Sequence, residues 1–251
     1  MRICDRAESA ETERRSMTLR ALSARVLTAL FAGWNISLMS QIATAQTVQF
    51  SPEMDVYVNL RQDARLSLQA GRILEEDTPA QAAFGANLEV YVKPLVRLRA
   101  AVGEQPDRAK LRTLTLSVGY RYFTLAGTAP ENRIVMEASP RFPLAWKIVL
   151  TDRNRGDLRM IAGDFSWRYR NRLSVERAVP IHSYAFTPYA RAEAYYDSYY
   201  GKWSATLLTA GASFPIKKHT ELEPYYQHFN QTGCTPNQQL ENIGLKLNLY
   251  F

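Results

Sequence analysis

Long hydrophobic runs are scarce in this sequence of 251 residues. The longest apolar region, residues 26–39, is interrupted by Trp34, Asn35 and Ser37 and is shorter than the roughly 20 residues that a membrane-spanning helix needs. The sequence therefore predicts no transmembrane helix. A mean hydropathy of −0.28 with 22% charged residues is typical of one folded domain and gives no indication of disorder.

Cysteine and clustered basic residues are also scarce. The chain has two cysteines, Cys4 and Cys234, and the first lies in a segment that we expect to be removed. A single remaining cysteine excludes an intramolecular disulfide and a cysteine metal cluster, and we expect no metal and no cofactor. The formal net charge of +7 includes no basic run, so it suits anionic lipid headgroups better than nucleic acid.

The amino-terminal segment has the organisation of a secretory signal peptide. Basic residues precede an apolar segment, and the small residues 43–45, Ala-Thr-Ala, provide a cleavage site. Acidic residues before Met17 are unusual in such a leader, so we interpret Met17 as the true start. The chain is therefore predicted to consist of a signal peptide, residues 1–45, and one β-barrel domain, residues 46–251.

From residue 46 onward, apolar and polar residues alternate with a period of two, the period of β-strands. The clearest example is residues 113–122, and we find no helical period longer than a turn or two. Eleven segments have this pattern. Because a barrel with both termini in the periplasm needs an even number of strands, we predict a twelfth at residues 96–102. The predicted fold class is all-β, a transmembrane antiparallel up-and-down β-barrel of 12 strands, with ten strands as the alternative.

Charged residues on these strands keep to one side of the alternation. In a soluble sandwich this side would face water, whereas in a membrane barrel it faces the lumen and the apolar side faces lipid. Aromatic residues concentrate near the predicted strand ends, which favours the barrel. The residues predicted to form a lumen charge network are Glu89, Arg121, Glu137, Arg168, Arg170, Arg172, Glu176, Arg191, Glu193, Glu221, Glu223 and Lys246.

The last strand ends on an aromatic residue and has an apolar residue at every second position. This pattern resembles the signal by which the barrel assembly machinery recognises outer-membrane barrels. The apolar row consists of Ile243, Leu245, Leu247, Leu249 and Phe251. We expect this row to face lipid, Lys246 to point into the lumen, and the strand to close the barrel against the first strand.

Several motifs carry a resemblance to a known family. They are residues 152–155 (DRNR), 167–173 (WRYRNRL), 187–189 (TPY), 196–198 (YDS) and 222–226 (LEPYY). Together with the closing strand they resemble a proteobacterial family of outer-membrane barrel proteins known only as a domain of unknown function. The resemblance covers residues from about 51 to 251. It implies the fold and an outer-membrane location, and it implies no activity.

The motifs allow more than one interpretation. Arg168, Arg170 and Arg172 could bind an anion in the lumen, but we favour neutralisation by glutamates across the interior. Counting back from the last strand places the turn at residues 215–218 in the periplasm. The same count makes residues 151–163 and 230–239 external loops. The DRNR segment is then a surface turn, with lipopolysaccharide or cation binding as the alternative.

Enzymatic activity is disfavoured by the positions of the histidines. His182 and Ser183 are adjacent and would point to opposite faces of a strand, and neither His219 nor His228 has a nucleophile at useful spacing. We predict a non-enzymatic bacterial outer-membrane barrel with a mixed-charge, largely filled lumen and a structural or narrow transport role. Its expected partners are outer-membrane lipid, lipopolysaccharide and the barrel assembly machinery, with no nucleic acid. The alternatives are a lipid-modifying outer-membrane hydrolase, resembling a lipid A deacylase or phospholipase, and a periplasmic soluble β-sandwich.

Overall fold

The computed structural model describes residues 48–74, 81–92, 107–125, 128–181, 184–233 and 236–251. The predicted signal peptide and the candidate strand at residues 96–102 lie outside these residues. Among the described residues, no helix is both long and apolar enough to cross a membrane.

Twelve β-strands make up most of the described chain. They are β1 (Val48–Asn59), β2 (Ala64–Ile73), β3 (Gln81–Val92), β4 (Leu114–Leu125), β5 (Glu131–Pro143), β6 (Ile148–Ile161), β7 (Asp164–Arg177), β8 (Val179–Ile181), β9 (Tyr184–Asp197), β10 (Lys202–Lys217), β11 (Thr220–Gln231) and β12 (Gln238–Tyr250). Two short 3₁₀ helices, Arg108–Leu111 and Ala145–Lys147, lie between strands.

Eleven of the strands close into a ring. Neighbours along the chain pair antiparallel from β1 to β7, β7 pairs with β9, and the order continues through β10 and β11 to β12. The ring closes where β12 pairs with β1 in parallel, from Val48 opposite Glu241 to Tyr57 opposite Tyr250. The short strand β8 pairs with the first residues of β9 outside the ring.

The predicted all-β barrel and the count of twelve strands are confirmed, but the even-number argument behind that count was wrong. Because eleven strands form the ring, the first and last strands run in the same direction. The start of β1 therefore lies at one end of the barrel and Phe251 at the other. We call these the amino end and the carboxyl end.

The predicted external loop at residues 151–163 was wrong, because these residues form most of β6 and its turn. β6 pairs with β5 and β7 along its length, and the turn to β7 consists of Ala162 and Gly163, both with positive φ. The predicted loop at residues 230–239 is shorter in the structure, since β11 ends at Gln231 and β12 begins at Gln238.

The interior of the barrel is polar and the outer surface is apolar. Among the described residues, 22 buried side chains are polar or charged and nine are hydrophobic. Apolar side chains on the outer face stay exposed, including Val118 at 51% and Ile134 at 50%. This distribution is the reverse of a soluble sandwich, where the apolar faces of the sheets pack together.

Candidate functional site

Part of the connection between β3 and β4 lies inside the barrel at the carboxyl end. This part, residues 107–111, which we call the plug, begins with Asp107 and continues as the 3₁₀ helix Arg108–Leu111. The Asp107 carboxylate accepts the backbone N–H of Ala109 at 2.8 Å and so caps this helix. Ala109 is 1% exposed, which places the helix inside the ring rather than on its surface.

Side chains from three separated strands hold the plug. On β2, Arg65 Nη1 donates to Asp107 Oδ1 at 2.6 Å; on β5, the Arg141 guanidinium donates to the Ala109 carbonyl oxygen at 2.9 Å. On β11, Glu221 Oε2 lies 3.4 Å from Lys110 Nζ. Because β2, β5 and β11 lie far apart around the ring, the plug crosses the interior instead of lining one wall.

Two charged groups of the plug have shifted pKa values. Burial favours the neutral form of Asp107, but the charges of Arg65, Lys110 and Arg141 outweigh it and hold the pKa of this carboxyl below its usual value. Burial also opposes the charged form of Lys110, but Glu221 and other nearby carboxylates raise the pKa of its amine. Both groups are therefore charged at neutral pH, and two of the three contacts that hold the plug are ion pairs.

A polar cavity of about 240 Å³ lies inside the ring against the plug. Nine of the twelve residues predicted for the lumen charge network line it. They are Glu89, Arg121, Glu137, Arg172, Glu176, Arg191, Glu221, Glu223 and Lys246. The other three, Arg168, Arg170 and Glu193, lie inside the barrel in a neighbouring group of ion pairs.

Arginines outnumber carboxylates on the wall formed by β4 to β9. We call this group the arginine cluster; its members are Arg121, Arg133, Arg153, Arg155, Arg159, Arg168, Arg170 and Arg172, with Glu131, Glu137, Asp157, Glu193 and Asp197. Eight arginines thus face five carboxylates.

The opposite excess occurs around the plug and involves residues of several strands. This carboxylate cluster consists of Arg65, Lys110, Arg141, Arg191 and Lys246, with Glu53, Asp55, Glu89, Asp107, Glu176, Glu221 and Glu223. Five basic groups face seven carboxylates here, so charge is nearly balanced over the two clusters taken together.

One family model matches this chain. Its description is "Protein of unknown function (DUF2490)", and it matches residues 107–239, just over half of the chain. The chain belongs to this family. The DUF2490 match begins at Asp107 in the plug and extends through β11, so it contains the whole arginine cluster; β1 to β3 and most of β12 complete the ring outside it. Comparisons with curated proteins and with solved structures gave no match.

The three arginines predicted on β7 lie inside the DUF2490 barrel, and each forms an ion pair with a carboxylate of β9. Arg170 Nε lies 2.6 Å from Glu193, and Arg172 Nε lies 3.5 Å from the same carboxylate. Arg168 pairs with Asp197 at 2.6 Å. Asp197 was absent from the predicted network, because it follows two tyrosines that were interpreted as part of an aromatic belt.

The sequence analysis missed the charged residues of β6, which form the centre of the arginine cluster. Arg155 and Asp157 form an ion pair at 2.6 Å and are almost fully buried, while Arg153 lies 2.8 Å from Glu193. Polar residues on the outer face of β6, Asp152 among them, interrupt the apolar alternation that would have indicated a strand. The alternation of charge at positions 153, 155, 157 and 159 was the signal that could have revealed it.

The described histidines do not form a hydrolase site in the DUF2490 barrel. His219 Nδ1 lies 2.8 Å from the Tyr250 carbonyl oxygen, and its ring stacks on Phe251. His228 Nδ1 lies 2.7 Å from Glu241 on the outer face of β11 and β12. The adjacent pair at residues 182 and 183 lies outside the described residues.

Proposed function

We propose that the protein is a non-enzymatic β-barrel of the bacterial outer membrane with a filled lumen and a structural or narrow transport role. The observation that carries this proposal is the reversed polarity of the barrel, with charged residues inside and large apolar side chains outside. In water, an apolar surface this extensive would be costly, since roughly 25 cal/mol is lost for each Å² that stays exposed. Lipid removes that cost.

Aromatic residues on the outer surface form a band at each end of the barrel. At the amino end, Trp167 and Trp203 are 43% and 54% exposed; at the carboxyl end, Trp146 and Phe142 are 79% and 49% exposed. Aliphatic side chains such as Val118 lie between the two bands. Aromatic rings flanking an aliphatic zone are typical of proteins that meet headgroups at both membrane surfaces.

Polar residues on the outer face bond to one another. Asn171 donates to Asp152 at 2.7 Å, and the Tyr169 hydroxyl donates to Asn154 at 2.5 Å, so this group on β6 and β7 satisfies part of its own hydrogen bonding. These contacts reduce the cost of polar groups beside lipid.

The plug and the ion pairs argue for a filled lumen rather than an open pore. The plug spans the carboxyl end, and the arginine cluster occupies the wall from β4 to β9. A wide water-filled channel has neither feature. Transport by this barrel would therefore be narrow or would require movement of the plug.

The closing strand supports a proposed contact with the barrel assembly machinery. Ile243, Leu245, Leu247 and Leu249 share the outer face of β12, and Phe251, which follows the strand, is 64% exposed. Lys246 points inward and lies 3.0 Å from Glu53. The Phe251 backbone N–H donates to the Tyr57 carbonyl oxygen and so joins the last residue to β1. The same outer face would contact outer-membrane lipid and lipopolysaccharide.

Fractionation of a Gram-negative host that produces the full chain tests this proposal. We expect the protein in carbonate-washed outer membranes, with a gel mobility that changes on heating. Deletion of Phe251 should sharply lower the amount of protein in the outer membrane, whereas Phe251→Tyr should preserve that amount. A protein that stays soluble without detergent and shows no change of mobility on heating would contradict the membrane location. Normal membrane levels of the truncated chain would contradict the assembly role alone.

A further inference from the structure

Arginines face arginines across several strand pairs of the barrel interior. In register, Arg153 lies opposite Arg172, Arg155 opposite Arg170, and Arg133 opposite Arg159. Arg133 also lies opposite Arg121 on its other side. Like charges at directly opposed positions repel each other, so each pair requires an anion close by.

A carboxylate contacts both members of three of these pairs. Glu193 contacts Arg153 and Arg172 at 2.8 and 3.5 Å. Asp157 contacts Arg155 and Arg170 at 2.6 and 3.9 Å. Glu131 contacts Arg133 and Arg159 at 2.7 and 2.5 Å.

The fourth pair, Arg121 with Arg133, has no shared carboxylate among the described residues. Arg133 turns toward Glu131 and Asp157, and Arg121 makes no hydrogen bond or ion pair within the described part of the chain. The Arg121 Nε atom is buried and has no hydrogen-bond partner among the described residues.

The Arg121 side chain borders the polar cavity, as do Arg153 and Arg172. Glu137 also borders it, but this carboxylate accepts a hydrogen bond from Ser139 and lies 3.6 Å from Arg153. The cavity, with a volume of about 240 Å³, has room for a small ion. These observations leave a basic wall with one unpaired guanidinium beside accessible space.

We propose that this cavity binds a compact oxyanion, a phosphate or carboxylate group, with Arg121 as the principal contact and Arg153 and Arg172 beside it. Guanidinium groups suit such ligands because their N–H groups match two oxygens at once. The bound anion supplies for Arg121 the negative charge that Glu131, Asp157 and Glu193 supply for the other arginines. The site is a property of the barrel interior and goes beyond the proposed structural or transport role.

Titration of the folded, detergent-solubilised full-length protein with inorganic phosphate and, separately, with malonate tests the site. Calorimetry at about 0.1 M sodium chloride should show saturable binding of at least one of the two anions, because buried charges are screened less than surface charges. Phosphate binding alone would identify a phosphate site, and malonate binding alone a carboxylate site. Absence of saturable binding of both would overturn the proposal.

Matched variants locate the site. Arg121→Gln should weaken binding at least about tenfold, equivalent to about 1.4 kcal/mol. Arg177→Gln, at an exposed position at the end of β7, should bind like the wild type. If Arg121→Gln loses the heat-dependent change in gel mobility that marks the folded barrel, Arg172→Gln is used instead. In the described part of the chain Arg172 has one ion pair, at 3.5 Å. Equal affinity of the folded arginine variant and the wild type would show surface binding and overturn the proposal.

Discussion

Single charged residues fix the position of the plug, and the Asp107 carboxylate makes two contacts, one with the wall and one within the plug. Its carboxylate accepts Arg65 at 2.6 Å and the Ala109 N–H at 2.8 Å. One carboxylate therefore both caps the short helix and ties it to β2. Hydrogen bonds to charged groups inside a protein contribute about 1.5–3 kcal/mol each.

Replacement of Asp107 by Asn should lower the free energy of unfolding by about 1–3 kcal/mol, since the amide keeps an acceptor but loses the charge that Arg65 requires. Thermal unfolding in detergent at pH 7 would measure the difference. Asp164→Asn, at an exposed position at the start of β7, is the matched control and should change little. Equal losses in the two variants would contradict the role of Asp107 as an anchor.

The same carboxylate gives a pH dependence of defined sign. Because its pKa is lower in the folded protein than the value of about 3.9 in an unfolded chain, its stabilisation is complete above pH 4. That stabilisation is lost as the pH falls through the folded pKa. The stability difference between the wild type and Asp107→Asn should therefore shrink below about pH 4.

At the scale of residues, the sequence predicted inward-facing charges well where the opposite face was apolar. On β7 and β11 the alternation is clear, and Arg170 and Glu223 lie inside the barrel as their positions indicate. On β6 the alternation fails because Asp152 and Asn154 lie on the outer face. Specific partners could not be predicted, because they depend on the register between strands that are distant in the sequence.

At the scale of strands, close packing between β11 and β12 depends on a glycine. Gly244 lies opposite Tyr225, and a Cβ atom at Gly244 would lie 1.9 Å from the Tyr225 ring. The ring covers the glycine on the inner face, and its hydroxyl donates to Glu53 on β1. This arrangement joins the last two strands to the first.

Gly244→Ala should destabilise the barrel by about 1–3 kcal/mol, because the tyrosine ring must move away from the strand and from Glu53. Gly156→Ala on β6 is the matched control, since no atom lies within 4 Å of the Cβ position there. Thermal unfolding of both variants in detergent would compare them. An unchanged midpoint for Gly244→Ala would show that Tyr225 accommodates the methyl group without cost.

The strands could be predicted from the sequence more readily than the plug. The plug consists of only a few residues, and its burial depends on Arg65, Arg141 and Glu221 from three strands. No local pattern in residues 107–111 indicates that they enter a barrel. Their position is decided by the closure of the ring, which is a property of the whole chain.

At the scale of the whole molecule, the odd ring places the start of β1 and the β10–β11 turn at opposite ends. The β6–β7 turn, Ala162 and Gly163, lies at the same end as Val48. A twelfth spanning strand between β3 and β4 would reverse every later strand. The number of strands in the ring therefore determines which segments share an end of the barrel.

Epitope tags can count the strands of the ring in intact cells. One tag is inserted before Val48 and a second in the turn at Lys218 and His219. We expect protease to reach one of these two tags and not the other. A tag between Ala162 and Gly163 should behave like the tag before Val48. If the first two tags shared one accessibility, the ring would contain an even number of strands.

The central claim of this account is that the apolar outer surface of the barrel lies in lipid. Val118 lies near the middle of β4 and is 51% exposed, whereas Trp146 lies at the carboxyl end and is 79% exposed. Val118→Trp can be made the sole tryptophan of residues 46–251 by changing Trp146, Trp167 and Trp203 to Phe. A second variant keeps Trp146 as the sole tryptophan.

The most direct test is tryptophan quenching by brominated lipids in vesicles that contain the folded protein. We predict that Val118→Trp is quenched most by bromine near the bilayer centre, while Trp146 is quenched most by bromine close to the headgroups. Fluorescence of Val118→Trp that is insensitive to bromine at every depth would contradict a membrane-spanning barrel.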